Sequence, residues 1–126
     1  MNRMWLVAIV LAADTWVGAA LADQLASLQG TWKGPWYIGM TSGLATMKIA
    51  ADGSGTIAFT NLENFGEEPV VLTKTSFDGR TFRFGASGTG GVPFSAGMQV
   101  GPGGKQLLGN GKYGGFGARL ELQRVD

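Results

Sequence analysis

The chain contains no cysteine and no histidine. Without cysteine no disulfide framework can form, and without either residue the usual Cys/His zinc sites are excluded. A lipid-modified cysteine is excluded for the same reason. Positive charge is scarce too: ten Lys and Arg against nine Asp and Glu leave a net charge of +1, and the basic residues stand singly along the chain. Nucleic-acid binding and electrostatic attachment to anionic lipid both need clustered positive charge, so neither is expected. Acid–base or nucleophilic chemistry would fall to carboxylates, Lys or Tyr. No pair of carboxylates occupies an inward position in the strand pattern described below. The expectation is therefore no catalytic residue, no metal site and no cofactor.

Long apolar runs are also lacking. The run at residues 4–13 is ten residues long, about half of what spans a bilayer, and Asp14 interrupts any extension. Arg3 precedes it, and Ala20-Leu21-Ala22 is a small-x-small pattern. These are the n-region, h-region and cleavage site of a secretory signal. Residues 1–22 are expected to be a cleaved signal peptide, with a mature domain at 23–126. A periplasmic or secreted location follows, with no stable membrane anchor after cleavage.

What the sequence does have is glycine, at 22 of 126 residues, against a usual share of about 7%. The glycines punctuate short runs of alternating apolar and polar residues, the pattern of many short strands joined by tight turns. Residues 23–28 have the spacing of one helical turn. Strands are predicted at 30–38, 44–51, 56–62, 69–77, 80–86, 93–100, 105–112 and 116–125. Asp52-Gly53 and Asp78-Gly79 are hairpin signals, because Asp-Gly supplies the positive φ that such turns demand. Residues 64–69 and 87–92 read as loops. Eight strands, each with one apolar face, predict an all-β fold: a small eight-stranded antiparallel up-and-down barrel. Closure removes sheet edges that would otherwise invite aggregation, and eight strands leave room for packed side chains or one small ligand.

Gly30-Thr31-Trp32 opens the first strand and resembles the Gly-x-Trp signature of the lipocalins. The mature chain as a whole is similar to a group of small bacterial lipocalin-like domains. These stand alone behind signal peptides or are fused ahead of α/β-hydrolase domains. The matching motifs are Gly-Thr-Trp-x-Gly at 30–34, the Asp-Gly-x-Gly turn at 52–55, the hairpin at 77–84, and the Gly-Gly turn, Leu-x-Leu strand and Arg-Val-Asp of 114–126. The resemblance implies a lipocalin-like barrel in which Trp32 packs at the floor against an Arg from the last strand. Arg124 is the best match, with Arg119 second. The group often carries Trp where this chain has Gly111. The missing ring would either leave space inside the barrel or merely relieve crowding.

Several constellations invite sharper readings. Residues 109–114 match Gly-x-Gly-x-x-Gly, but a dinucleotide site needs a following helix, and the residues after Gly114 alternate like a strand. Glu63, Glu67, Glu68 and Asn64 could offer oxygens to a hard cation, yet their spacing matches no calcium loop. A solvated acidic loop is the simpler reading. Trp36 and Tyr37 could form a stacking platform at the barrel mouth, or could simply pack. Met47, Phe59, Phe82, Phe84, Phe94 and Met98 fall on inward faces, and would line a cavity if one exists. Together with Gly111 these residues form the candidate ligand-binding set. The leading expectation is an exported, non-catalytic barrel that binds a small apolar or amphiphilic ligand. The alternative is a protein-interaction or inhibitor-type module whose protein partner is met by the loops at 64–68 and 87–92.

Overall fold

A computed structural model describes residues 24–126. The expected signal peptide and its cleavage point at Asp23 lie outside the described residues. The described chain is all-β apart from two short turns of helix, at residues 24–26 and Pro102–Gly104. In chain order the strands are β1 Gly30–Ile38, β2 Thr41–Ile49, β3 Gly55–Phe59, β4 Val70–Val71, β5 Thr73–Phe77, β6 Thr81–Ser87, β7 Pro93–Val100, β8 Gln106–Tyr113 and β9 Phe116–Arg124. All pairings are antiparallel, and the order across the sheet is β4-β3-β2-β1-β9-β8-β7-β6-β5.

The sheet forms a nearly closed barrel because its two edge strands are consecutive in the chain. The predicted strand at 69–77 is divided at Leu72, which is why nine strands are found among the described residues where eight were expected. Its first part pairs with β3 at Thr56↔Val71 and Ile57↔Val70, and the Leu72 N–H donates to the Gly55 carbonyl (2.9 Å). The chain then changes partner, and Thr73 pairs with Gly85 of β6. A register shift between Thr73 and Ser76 and a left-handed φ of 51° at Lys74 absorb the change. Such an irregularity bends a strand and raises its twist. One segment therefore serves both edges of the sheet.

The interior follows directly from the alternation. Trp32 and Trp36 of β1, Met47 of β2, Phe59 of β3, Phe82 of β6, Phe94 and Met98 of β7, and Leu120 and Leu122 of β9 are all buried. Full burial of one such side chain contributes about 1.5–3 kcal/mol. No polar or charged residue is buried among the described residues.

The two ends of the barrel differ. The turns at 50–54, 78–80 and 102–104 and the N-terminal turn gather at one end, the floor. Leu25 lies against Gly53 and Gln24 against Gly79 there. At the other end, the mouth, stand the β1–β2 turn, the long β3–β4 loop, the β6–β7 loop and the β8–β9 turn.

Candidate functional site

The mouth is partly stoppered by its own loop. The β3–β4 loop reads as polar, yet it turns Leu62 and Phe65 inward, and Phe65 is fully buried. The Phe65 ring meets Phe59 edge-on, with centroids 4.9 Å apart and planes at 88°, and it meets Tyr113 at 6.0 Å. Edge-to-face contact of this kind adds about 0.5–1.5 kcal/mol beyond burial. Asn61 and Asn64 take φ of 63° and 65°, a left-handed conformation that Asn tolerates better than most residues. The β6–β7 loop holds the stopper in place: Thr89 N–H donates to the Phe65 carbonyl and Gly90 N–H to that of Asn64, both at 3.0 Å. From β8, the Tyr113 hydroxyl donates to the Glu63 carbonyl (2.6 Å).

Beside this stopper lies an open cleft of about 780 Å³, lined by Trp36 and Ile38 of β1, Leu62 and Glu63 of the loop, Val92, and Tyr113 and Phe116 at the β8–β9 turn, with Gly39, Thr41, Asn64, Gly114, Gly115 and Gly117 around them. Its volume falls within the range of small-molecule sites, about 300–1,000 Å³. Trp36 forms part of its floor. The indole lies over Gly43, where a Cβ would sit 2.6 Å from Nε1, and its N–H donates to the Thr60 carbonyl (3.0 Å). Phe116 stands out into solvent at 69% exposure. Burial raises the Tyr113 phenol above its ordinary pKa, and the nearby negative charge of Glu63 adds to the shift.

Of the residues expected to bind ligand, Trp36 alone lines this cleft. Tyr37 points the opposite way, out from the barrel wall, as strand alternation requires. Met47, Phe59, Phe82, Phe84, Phe94 and Met98 are on the inward faces as read, but they pack into one continuous core. Phe82, Phe84 and Phe94 stack in sequence at 6.0 and 6.1 Å, and Phe94 reaches Phe59 at 4.9 Å. None of the six lines the cleft. Gly111 opens no space: a Cβ there would collide with the Ser95 carbonyl oxygen and lie 2.7 Å from Ala96 Cβ. Its lack of a side chain permits close approach of β8 to β7. The residues missed were Ile38, Leu62, Val92, Tyr113 and Phe116. Most sit at strand ends beside a turn, where alternation no longer assigns a face.

At the opposite end Trp32 and Arg124 are in contact, with the guanidinium carbon 4.3 Å from the ring centroid. Arg119 instead faces outward beside Glu121 (3.9 Å). The glycine motif at 109–114 lies in β8 and the β8–β9 turn, with strand β9 following. The acidic residues of the β3–β4 loop do not converge: among the described residues no group of three or more candidate ligands could hold a metal. Among the same residues, no helix is long and apolar enough to cross a membrane. Compared with protein-family models, with curated proteins and with solved structures, the chain matches none.

Proposed function

We propose that this protein is an exported, lipocalin-like barrel that binds a small apolar or amphiphilic ligand at its mouth without transforming it. The observation that carries the reading is the cleft, where Ile38, Leu62, Val92 and Phe116 offer apolar surface at the open end of an otherwise packed barrel. Small-molecule sites are typically concave, mostly apolar and provided with a few polar groups. Because the interior is filled by core side chains, the ligand sits at the mouth and not down the barrel axis. Binding is favoured over catalysis because the sequence lacks His and Cys and no polar or charged side chain is buried in the described interior. Export rests on the residue pattern of 1–22. The lipocalin-like assignment rests on the motifs at 30–34, 52–55, 77–84 and 114–126.

Native mass spectrometry of the protein recovered from its own host tests the reading. A mass beginning at Asp23 with a reproducible small adduct is expected, and Phe116→Ala should reduce that adduct about five- to thirtyfold, since it removes one apolar contact. A mass that retains residues 1–22 would overturn export.

A second reading has one observation in its favour. The filled barrel and the hydrogen-bonded union of the loops at 64–68 and 87–92 would also suit a module that meets a protein partner through an ordered loop surface. A bare mature mass with no adduct would shift the assignment there.

A further inference from the structure

The mouth cleft is chemically one-sided. Among the described residues, Glu63 and Tyr113 are its only ionisable lining residues, and no Lys or Arg lines it. We propose that the cleft selects cationic amphiphiles, molecules with an ammonium or alkylammonium head and an apolar body. The head is held against the Glu63 carboxylate and the faces of Tyr113 and Phe116. This inference rests on the mouth cleft being the ligand site and names the class of ligand.

Three features exclude the opposite charge. An anionic head, such as that of a fatty acid, would meet the Glu63 carboxylate with no lining cation among the described residues to balance it. The cleft's phenol hydroxyl cannot act as a donor to that head, because it is already donated to the Glu63 carbonyl. Glu63 itself is exposed and has no ion-pair partner among the described residues, so its charge remains available to a ligand. The aromatic rings add to the same preference, since a cation over a ring face is attracted by the ring quadrupole. Ile38, Leu62 and Val92 would cover the apolar body. The chain as a whole is weakly positive, so non-specific attraction favours anions. A preference for cations must therefore arise locally.

The experiment is a titration of the mature protein, followed by intrinsic tryptophan fluorescence, with three twelve-carbon amphiphiles below their critical micelle concentrations. The probes are dodecyltrimethylammonium, dodecyl maltoside and dodecyl sulfate. The cationic probe should bind about five- to tenfold more tightly than the neutral one, the gain of one partly exposed charge pair plus one cation–π contact. Dodecyl sulfate should bind most weakly. Glu63→Gln, at an exposed position that should fold normally, should bring the cationic and neutral probes within about twofold of each other. Glu67→Gln/Glu68→Gln, outside the cleft, should preserve the preference. Equal binding of the cationic and neutral probes, tightest binding of the sulfate, or loss of preference in the Glu67/Glu68 variant would each overturn the inference and leave the cleft as a ligand site. If none of the three probes bound saturably, the cleft reading itself would fall.

Discussion

The Arg124 guanidinium lies over the Trp32 ring at 4.3 Å and donates to the carbonyls of Ser27 (2.7 Å), Gln29 and Gly104 (3.4 Å). Trp32 in turn donates its indole N–H to the Leu28 carbonyl (3.0 Å). One planar fork thus ties β9, β1, the N-terminal turn and the β7–β8 turn together at the floor. Lysine cannot reproduce that fork, because its ammonium is a compact point charge. Arg124→Ala is expected to cost about 2–3 kcal/mol, from lost charge-assisted hydrogen bonds and the cation–π contact. Arg124→Lys should recover less than half of that. Urea unfolding at constant slope reads both values, and a lysine variant as stable as the parent would show that charge alone matters. This pair was legible because Gly30-Thr31-Trp32 and the chain's closing Arg-Val-Asp are local motifs. Phe65 was not legible. It stands alone among polar residues, and its burial comes from the loop folding back over Phe59 and Tyr113, which no periodicity announces. Tyr113 escaped notice because its role depends on contact with Glu63, fifty residues away in sequence.

The same contrast holds for elements. The hairpin turns were legible because their chemistry is local: Gly53 and Gly79 take the positive φ of 88° and 94° that Asp-Gly announces. The preceding aspartates complete the turns. Asp52 accepts from the Ser54 N–H (3.0 Å) and hydroxyl (2.6 Å), and Asp78 accepts from the N–H groups of Arg80 (2.9 Å) and Thr81 (2.8 Å). These bonds hold both carboxyls below the ordinary carboxylate pKa, chiefly through the Ser54 side chain for Asp52 and the Thr81 backbone for Asp78. A carboxylate whose pKa is lowered on folding leaves the unfolded chain holding more protons in acid. Its stabilising contribution is therefore fully present above the ordinary carboxylate range, about pH 4, and is lost as pH falls through the folded value. Asp52→Asn/Asp78→Asn should flatten the acid limb of a stability–pH curve between about pH 2 and 5, measured as urea midpoints at each pH. Parallel curves for parent and variant would show that these turns do not carry the acid sensitivity. The division of the strand at 69–77 was hidden for the converse reason. Apolar alternation shows that a strand exists, but the exchange of partner at Leu72 is set by where the two ends of the curled sheet meet.

At the scale of the whole molecule, that exchange of partner is the place where the barrel is least continuous. β1 pairs with β2 at nine positions and β8 with β9 at eight, whereas β4 meets β3 at two and β5 meets β6 at three across a register shift. Loss of a few ladder bonds at this seam opens a slot in the wall and leaves the β1, β2, β7, β8 and β9 ladders intact, with Trp32, Trp36, Met98, Leu120 and Leu122 still packed. Opening along the seam should therefore require less free energy than global unfolding, which the strands on the far side need before their amides exchange. Leu72 is the diagnostic position. It is buried and its N–H is hydrogen-bonded to Gly55, so surface exposure cannot explain rapid exchange there. Hydrogen exchange under native conditions is expected to show the Leu72 amide at least about tenfold less protected than the interstrand amides of β8 and β9, a gap of about 1.4 kcal/mol between local and global opening. Mild denaturant should erase the difference by bringing global unfolding down to the cost of the local event. Equal protection of Leu72 and β9 would mean that the closure is as cooperative as the rest of the wall.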